Sequence, residues 1–241
     1  MSTASALVPP SVPPLSKPRA LRVVIEENVT IPADVVDLDS FCRWATSDQF
    51  PECGQFSYLR GTIWVDFSME ELYSHNRVKT RFATVLGNLV DSLGLGMFIS
   101  DGMLLRNSAA DLSTEPDGMF VSYDALRSGR VRRIKRDKPG CWELDGTPEM
   151  VLEVVSDTSV HKDTKELREL YWRAGILEYW LIDAREETPS FDLLRRGRKG
   201  YTSTRKQAGG WLKSNVFDRA FQLTQTTDPL GDPLYILNVR A

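Results

Sequence analysis

The sequence predicts an α/β domain built on a mixed sheet. Three features carry that prediction: one long apolar stripe at helical spacing, several short apolar runs of strand length after it, and a second helical stretch lodged between two of those runs. Residues 1–22 come first and hold the proline-rich run VPPSVPPLSKP, which offers little to bury and predicts a disordered tail. Residues 23–241 then form a single domain with its core at about 38–225. Val23 to Ile31 reads as a short strand. In DVVDLDSFCRWATSD, Leu38, Phe41, Cys42 and Ala45 recur at helical spacing, with Asp37 or Asp39 as N-cap. FSYLRGTIWVD, Phe56 to Asp66, reads as two strands joined at Arg60-Gly61.

The clearest helix runs from Ser74 to Leu93. Val78, Phe82, Val85, Leu86, Leu89 and Leu93 form one stripe, His75 sits at its head, and Gly94 stops it. Strands are expected at Gly96–Ser100, Met103–Arg106, Gly118–Ser122 and Met150–Val155. DTKELRELYWRAG is the second helix, with Asp163 and Glu166 as a capping box, Leu167, Leu170, Tyr171 and Ala174 inward, and Gly175 as its end. Tyr179–Asp183 closes the core, and β-hairpins with turns at Gly197–Gly200 and Gly209–Gly210 follow.

Composition removes several classes of function. No apolar run approaches membrane-span length, and the start lacks the basic-then-apolar pattern of a secretory signal, so a cytoplasmic protein without membrane association is expected. Cys42, Cys53 and Cys141 form no CxxC pair, which argues against structural zinc or a disulfide framework. The glycines form no phosphate-binding fingerprint, so no nucleotide cofactor is indicated. The net charge of −3 conceals a basic run, RSGRVRRIKRDK, from Arg127 to Lys138. Arg130, Arg132, Arg133, Lys135 and Arg136 are its candidate nucleic-acid contacts; solvated basic loops are the other reading.

The chemistry centres on two acids. MVLEVVS is apolar on both faces, so Glu153 lies in a central strand and needs either a cation or a buried salt bridge. In TEPDGMFVS, Asp117 opens the next candidate strand, two residues after Glu115; taken alone, Pro-Asp-Gly reads as turn chemistry. Taken together, an acid at one strand's start, an acid inside another and a lysine just beyond are what metal-assisted phosphodiester cleavage requires. The carboxylates hold a hard cation, the cation acidifies a water, and the ammonium orients it. His75 completes the site or is a hydrogen-bonded core histidine. Trp172, Tyr179 and Trp180 read as core or dimer-contact aromatics.

EPDGMFVS and PEMVLEVVSDTSVHKDTKELRELYWRAGILEYWLIDA, together with the RGTIWV hairpin, resemble the Uma-two family, bacterial restriction-endonuclease-like proteins of the PD-(D/E)XK superfamily. The resemblance spans residues 38–225. It implies a restriction-endonuclease-like mixed central sheet flanked by helices, with β-hairpins added at both ends, and an endonuclease dependent on Mg²⁺ (or Mn²⁺) acting on DNA, alone or as a homodimer. Asp117 would be the first motif acid and Glu153 the second. The superfamily lysine lies two residues after the glutamate, where this chain has Val155, and relatives carry one at the position of Leu167. Lys162 and Lys165 are then the candidates. Lys165 points away from the inward stripe, which favours Lys162. A catalytically idle, nucleic-acid- or protein-binding descendant is the alternative.

Overall fold

Arg60 and Gly61 both adopt positive φ, 49° and 80°. That is the backbone of the two-residue hairpin turns whose twist matches paired strands. They join β1 (Gln55–Leu59) to β2 (Thr62–Asp66) in antiparallel register. The computed structural model describes residues 29–136 and 139–241. The chain divides after Ile31. The first unit's described residues, 29–31, the end of the expected Val23–Ile31 strand, carry no regular element; the expected tail, 1–22, and the rest of that strand lie outside the described residues.

In the second unit, α1 (Leu38–Ala45) is capped by Asp37, whose Oδ1 accepts from the Ser40 amide at 2.8 Å. A π-helical turn, Leu72–Arg77, leads into α2 (Val78–Leu93). Gly94, at φ 61°, ends α2 in the left-handed conformation that lacks a Cβ penalty. Next come β3 (Gly96–Ile99), β4 (Leu104–Asn107), β5 (Leu112–Thr114), β6 (Gly118–Ser122), α3 (Tyr123–Ser128), β7 (Val131–Ile134), β8 (Glu143–Gly146) and β9 (Met150–Val154). A second π-helical turn, Lys162–Leu167, runs into α4 (Arg168–Arg173), then β10 (Glu178–Asp183), β11 (Ser190–Arg196) and β12 (Tyr201–Ser203). The chain ends with β13 (Leu212–Ser214), β14 (Arg219–Thr227) and β15 (Pro233–Arg240).

Among the described residues three sheets result, in the orders β2-β1-β5-β4-β8-β7, β12-β11-β10-β9-β6-β3 and β13-β14-β15. The first two are mixed: β4 is parallel to β8 and β9 is parallel to β10. The middle sheet is apolar on both faces, as a central layer must be. On one face Met119, Val121, Val151 and Tyr179 meet Leu105, Leu112 and Leu144 of the first sheet and Leu170 and Tyr171 of α4. On the other, Phe120, Leu152 and Trp180 meet Phe82 and Leu86 of α2 and Phe221 of the third sheet. Each of these large side chains contributes roughly 1.5–3 kcal/mol on burial.

The structure corrects several expectations. Two helices begin with π-helical turns, a wider winding that hydrophobic spacing does not report. Asp163 caps nothing: it is buried inside the second π-helical turn, which has no side-chain cap. Gly209-Gly210 does not close a hairpin but carries the chain from β12 to the third sheet, where β13 pairs with β14. Part of the basic run is strand β7, at the edge of the first sheet. Tyr179 and Trp180 are fully buried core residues, and Trp172 packs partly buried against the core.

Candidate active site

β6 and β9 are antiparallel neighbours, with Gly118 opposite Leu152 and Met119 opposite Val151. One further step of that register sets Asp117 across from Glu153. Strand alternation turns both side chains to the face carrying Met119, Val121 and Val151. The contacts agree with the register. The Val154 amide donates to Asp117 Oδ2 at 2.7 Å, and the Asp117 amide approaches Glu153 Oε2 at 3.4 Å.

Around this pair lies a recess of about 40 Å³. The β1–β2 hairpin contributes Gln55 and Asp66, and the segment before α2 contributes Glu70 and His75. Glu115 lines it from the approach to β6, and Ser159, Lys162 and Asp163 from the far side. Both π-helical turns therefore deliver side chains to it. Tyr171 of α4 donates its hydroxyl to Glu153 Oε1 at 2.5 Å. His75 Nε2 lies 3.7 Å from Asp117 Oδ2, and Glu70 Oε2 lies 3.5 Å from Nδ1 without hydrogen-bond geometry. Lys79 Nζ sits 3.3 Å from Asp117 Oδ1 and is also held by Glu70 and Asp101 at 2.5 and 2.7 Å.

Burial dominates the electrostatics. It pushes the Glu153 carboxyl well above the usual range, and the neighbouring charges of Asp117 and Asp163 push the same way against Lys162 and Tyr171. Burial also raises Asp117, with Lys79 and His75 opposing it. Asp163 rises to about 6 for the same reason, opposed by Lys162 and by the hydrogen bond from Ser159. Asp163 Oδ1 is buried without a hydrogen-bond partner. The site thus gathers more acid than its own cations balance.

That imbalance suits a divalent cation. The donors are hard carboxylate oxygens, which favour Mg²⁺ or Mn²⁺ over softer metals. No group of three or more His, Cys, Asp or Glu side chains among the described residues is spaced to hold a metal. A cation here would rest on Asp117 and Glu153, with water and substrate oxygens completing its shell, as Mg²⁺ commonly does.

The other sequence-predicted residues divide clearly. Lys162 lines the recess, its Nζ 4.0 Å from Asp163 Oδ1. Lys165 is exposed and outside it. Val155 is buried, its amide donating to Ile182 O at 2.8 Å. Arg130, Arg132 and Arg136 pair with Glu149, Asp145 and Glu143, while Arg133 and Lys135 are exposed; none of the five lines the recess. Sequence reasoning missed Lys79, though it follows His75 by four residues and so shares its face. It also placed Tyr171 in the core stripe without seeing that its hydroxyl reaches Glu153.

The sequence profile of the Uma2 family, described as "Putative restriction endonuclease", matches residues 38–226. The chain belongs to the Uma2 family. The fold has a solved counterpart in a "putative nuclease belonging to DUF820" from Anabaena variabilis ATCC 29413. It superposes with a TM-score of 0.54 at 17% identity, over 76% of this chain and 91% of that one. No curated protein matches. The Uma2 chain therefore has a mixed α/β, nuclease-like fold. Among the described residues no helix is long and apolar enough to cross a membrane.

Proposed function

We propose that this Uma2 protein is a metal-dependent endonuclease that hydrolyses phosphodiester bonds in DNA. The observation that carries the reading is the meeting of half-buried Asp117, at the head of β6, and buried Glu153, opposite it on β9, at the edge of a polar recess. Mg²⁺ or Mn²⁺ held by them would neutralise the scissile phosphate and acidify the attacking water. The protein's groups do the rest. Tyr171 fixes the Glu153 carboxylate, while Lys79 and His75 fix Asp117. Lys162, lining the recess near Asp163, orients the water and screens charge on the pentavalent phosphate. Water's oxygen bonds to phosphorus, one ester oxygen departs, and that oxygen takes up a proton. Arg133, exposed on edge strand β7, and Lys135, exposed just after it, supply backbone contacts away from the chemistry.

Plasmid nicking in Mg²⁺ tests the proposal. The wild type is expected to cut, and Glu153→Gln and Asp117→Asn to lose about a hundredfold or more of the rate. Cutting that survives both substitutions refutes it. A second reading, a non-catalytic binding module, draws on Val155 at the superfamily lysine position and on Lys79 already beside Asp117. It predicts no cutting by wild type; Mg²⁺ raising Tm in wild type and not in Glu153→Gln would instead mean that the metal site exists and the plasmid is the wrong substrate.

A further inference from the structure

A groove of about 270 Å³ opens beside the recess, and Gln55, Asp66 and Lys162 line both. One wall is the inner face of the β1–β2 hairpin. Gln55 stands opposite Asp66 and Ser57 opposite Trp64, so all four side chains share that face. The other wall is the segment from Thr158 to Lys162. Thr158 Oγ1 donates to Asp66 Oδ2 at 2.7 Å and contacts Ser68 Oγ at 3.1 Å, tying the two walls together. The partly buried Trp64 indole lines the groove, and the His161 imidazole stacks beside it, the rings 19° from parallel with centroids 6.2 Å apart. Among the described residues the Gln55 side-chain amide makes no hydrogen bond.

Each feature suits a planar base better than a phosphate. An indole face stacks on any base. A free amide offers a donor and an acceptor to the base edge that pairing would otherwise occupy. The Asp66 carboxylate disfavours phosphate, while Lys162 stands at the shared boundary where the backbone would pass. We propose that this groove holds one unpaired nucleobase, stacked on Trp64 and read by Gln55, beside the phosphodiester in the recess. The enzyme's preferred substrate is then single-stranded or locally unpaired nucleic acid. This rests on the nuclease reading and extends it to substrate class.

Anisotropy titrations of fluorescein-labelled DNA, with Ca²⁺ replacing Mg²⁺, test the assignment on the full chain. The probes are a short single strand, the same sequence as a duplex, and the matching RNA strand. The single strands are expected to bind more tightly than the duplex, and the RNA arm shows which sugar is preferred. Trp64→Leu, which keeps apolar volume without the ring, is expected to weaken single-strand binding about ten- to hundredfold, and Trp64→Phe to restore most of it. Gln55→Leu, at a partly exposed position, is expected to weaken it about fivefold and keeps the test open should Trp64→Leu fail to melt cooperatively. Equal binding of strand and duplex, no binding of either, or single-strand affinity unchanged in the folded variants would overturn the proposal. Cleavage of the labelled single strands in Mg²⁺ by wild type and Glu153→Gln is read in parallel. Ring-dependent strand binding without metal-dependent strand cleavage overturns the nuclease reading alone.

Discussion

Glu153 and Glu178 are both buried glutamates, on the parallel neighbours β9 and β10, yet they serve opposite ends. Glu178 is 1% exposed and fully satisfied. Its Oε1 accepts from the Asn215 and Val216 amides at 2.7 and 3.3 Å, and its Oε2 from Ser214 Oγ and Trp180 Nε1 at 2.7 and 3.0 Å. Those donors fasten the β13 end of the third sheet to the middle sheet. Glu153 is 4% exposed but receives two hydrogen bonds, a short one from Tyr171 and a long one of 3.4 Å from the Asp117 amide, and the charges beside it include the acids Asp117 and Asp163. A buried carboxylate ringed by donors is a staple. One left beside other acids is a place for a cation.

The comparison breaks most visibly at the staple. Glu178→Ala leaves four donors unpaired and is expected to cost about 3–5 kcal/mol, roughly 6–20 °C in Tm by calorimetry. Glu153→Gln in metal-free buffer should cost no more than about 1 kcal/mol, because it removes a charge the fold does not compensate. A loss as large as that of Glu178→Ala would make Glu153 structural too.

A pH titration sharpens the contrast. Asp163 has its folded-state pKa raised to about 6 from an ordinary carboxylate value of 3.8. Its contribution is therefore full at low pH and is lost as pH rises through about 6. Denaturant melts of metal-free protein should weaken between pH 4 and 6 by an amount on the order of 2 kcal/mol, and Asp163→Asn should flatten that slope. The smallest effect is expected at Lys79. Lys79→Met removes a resident cation from Asp117, so Mg²⁺ should bind several-fold more tightly, read as a shifted midpoint in a Tm-against-Mg²⁺ curve.

Local signals made much of the fold legible. Arg60-Gly61 forces a tight turn, the stripe from Val78 to Leu93 buries Val78, Phe82 and Leu86 although Leu93 is exposed, and Gly94 and Gly175 end their helices at positive φ. An acid inside an otherwise apolar strand demands a partner, which marks Glu153, whereas Asp117 alone reads as turn chemistry and gains weight only beside it. What escaped depends on contacts distant in sequence. Strands β5, β7 and β8 are three or four residues long and gain their identity from pairing. Asp163 mimics a helix cap in the sequence, and the π-helical turn that buries it leaves no mark on hydrophobic spacing. The role of Glu178 depends on donors more than thirty residues away.

Calorimetric titration of the metal-free protein with Mn²⁺ examines the acid pair itself. Asp117 and Glu153 together should bind one cation per chain in wild type, with protons released as it binds and the heat lost in both Glu153→Gln and Asp117→Asn. Undiminished binding in either folded variant would place the cation elsewhere and contradict this account of the site.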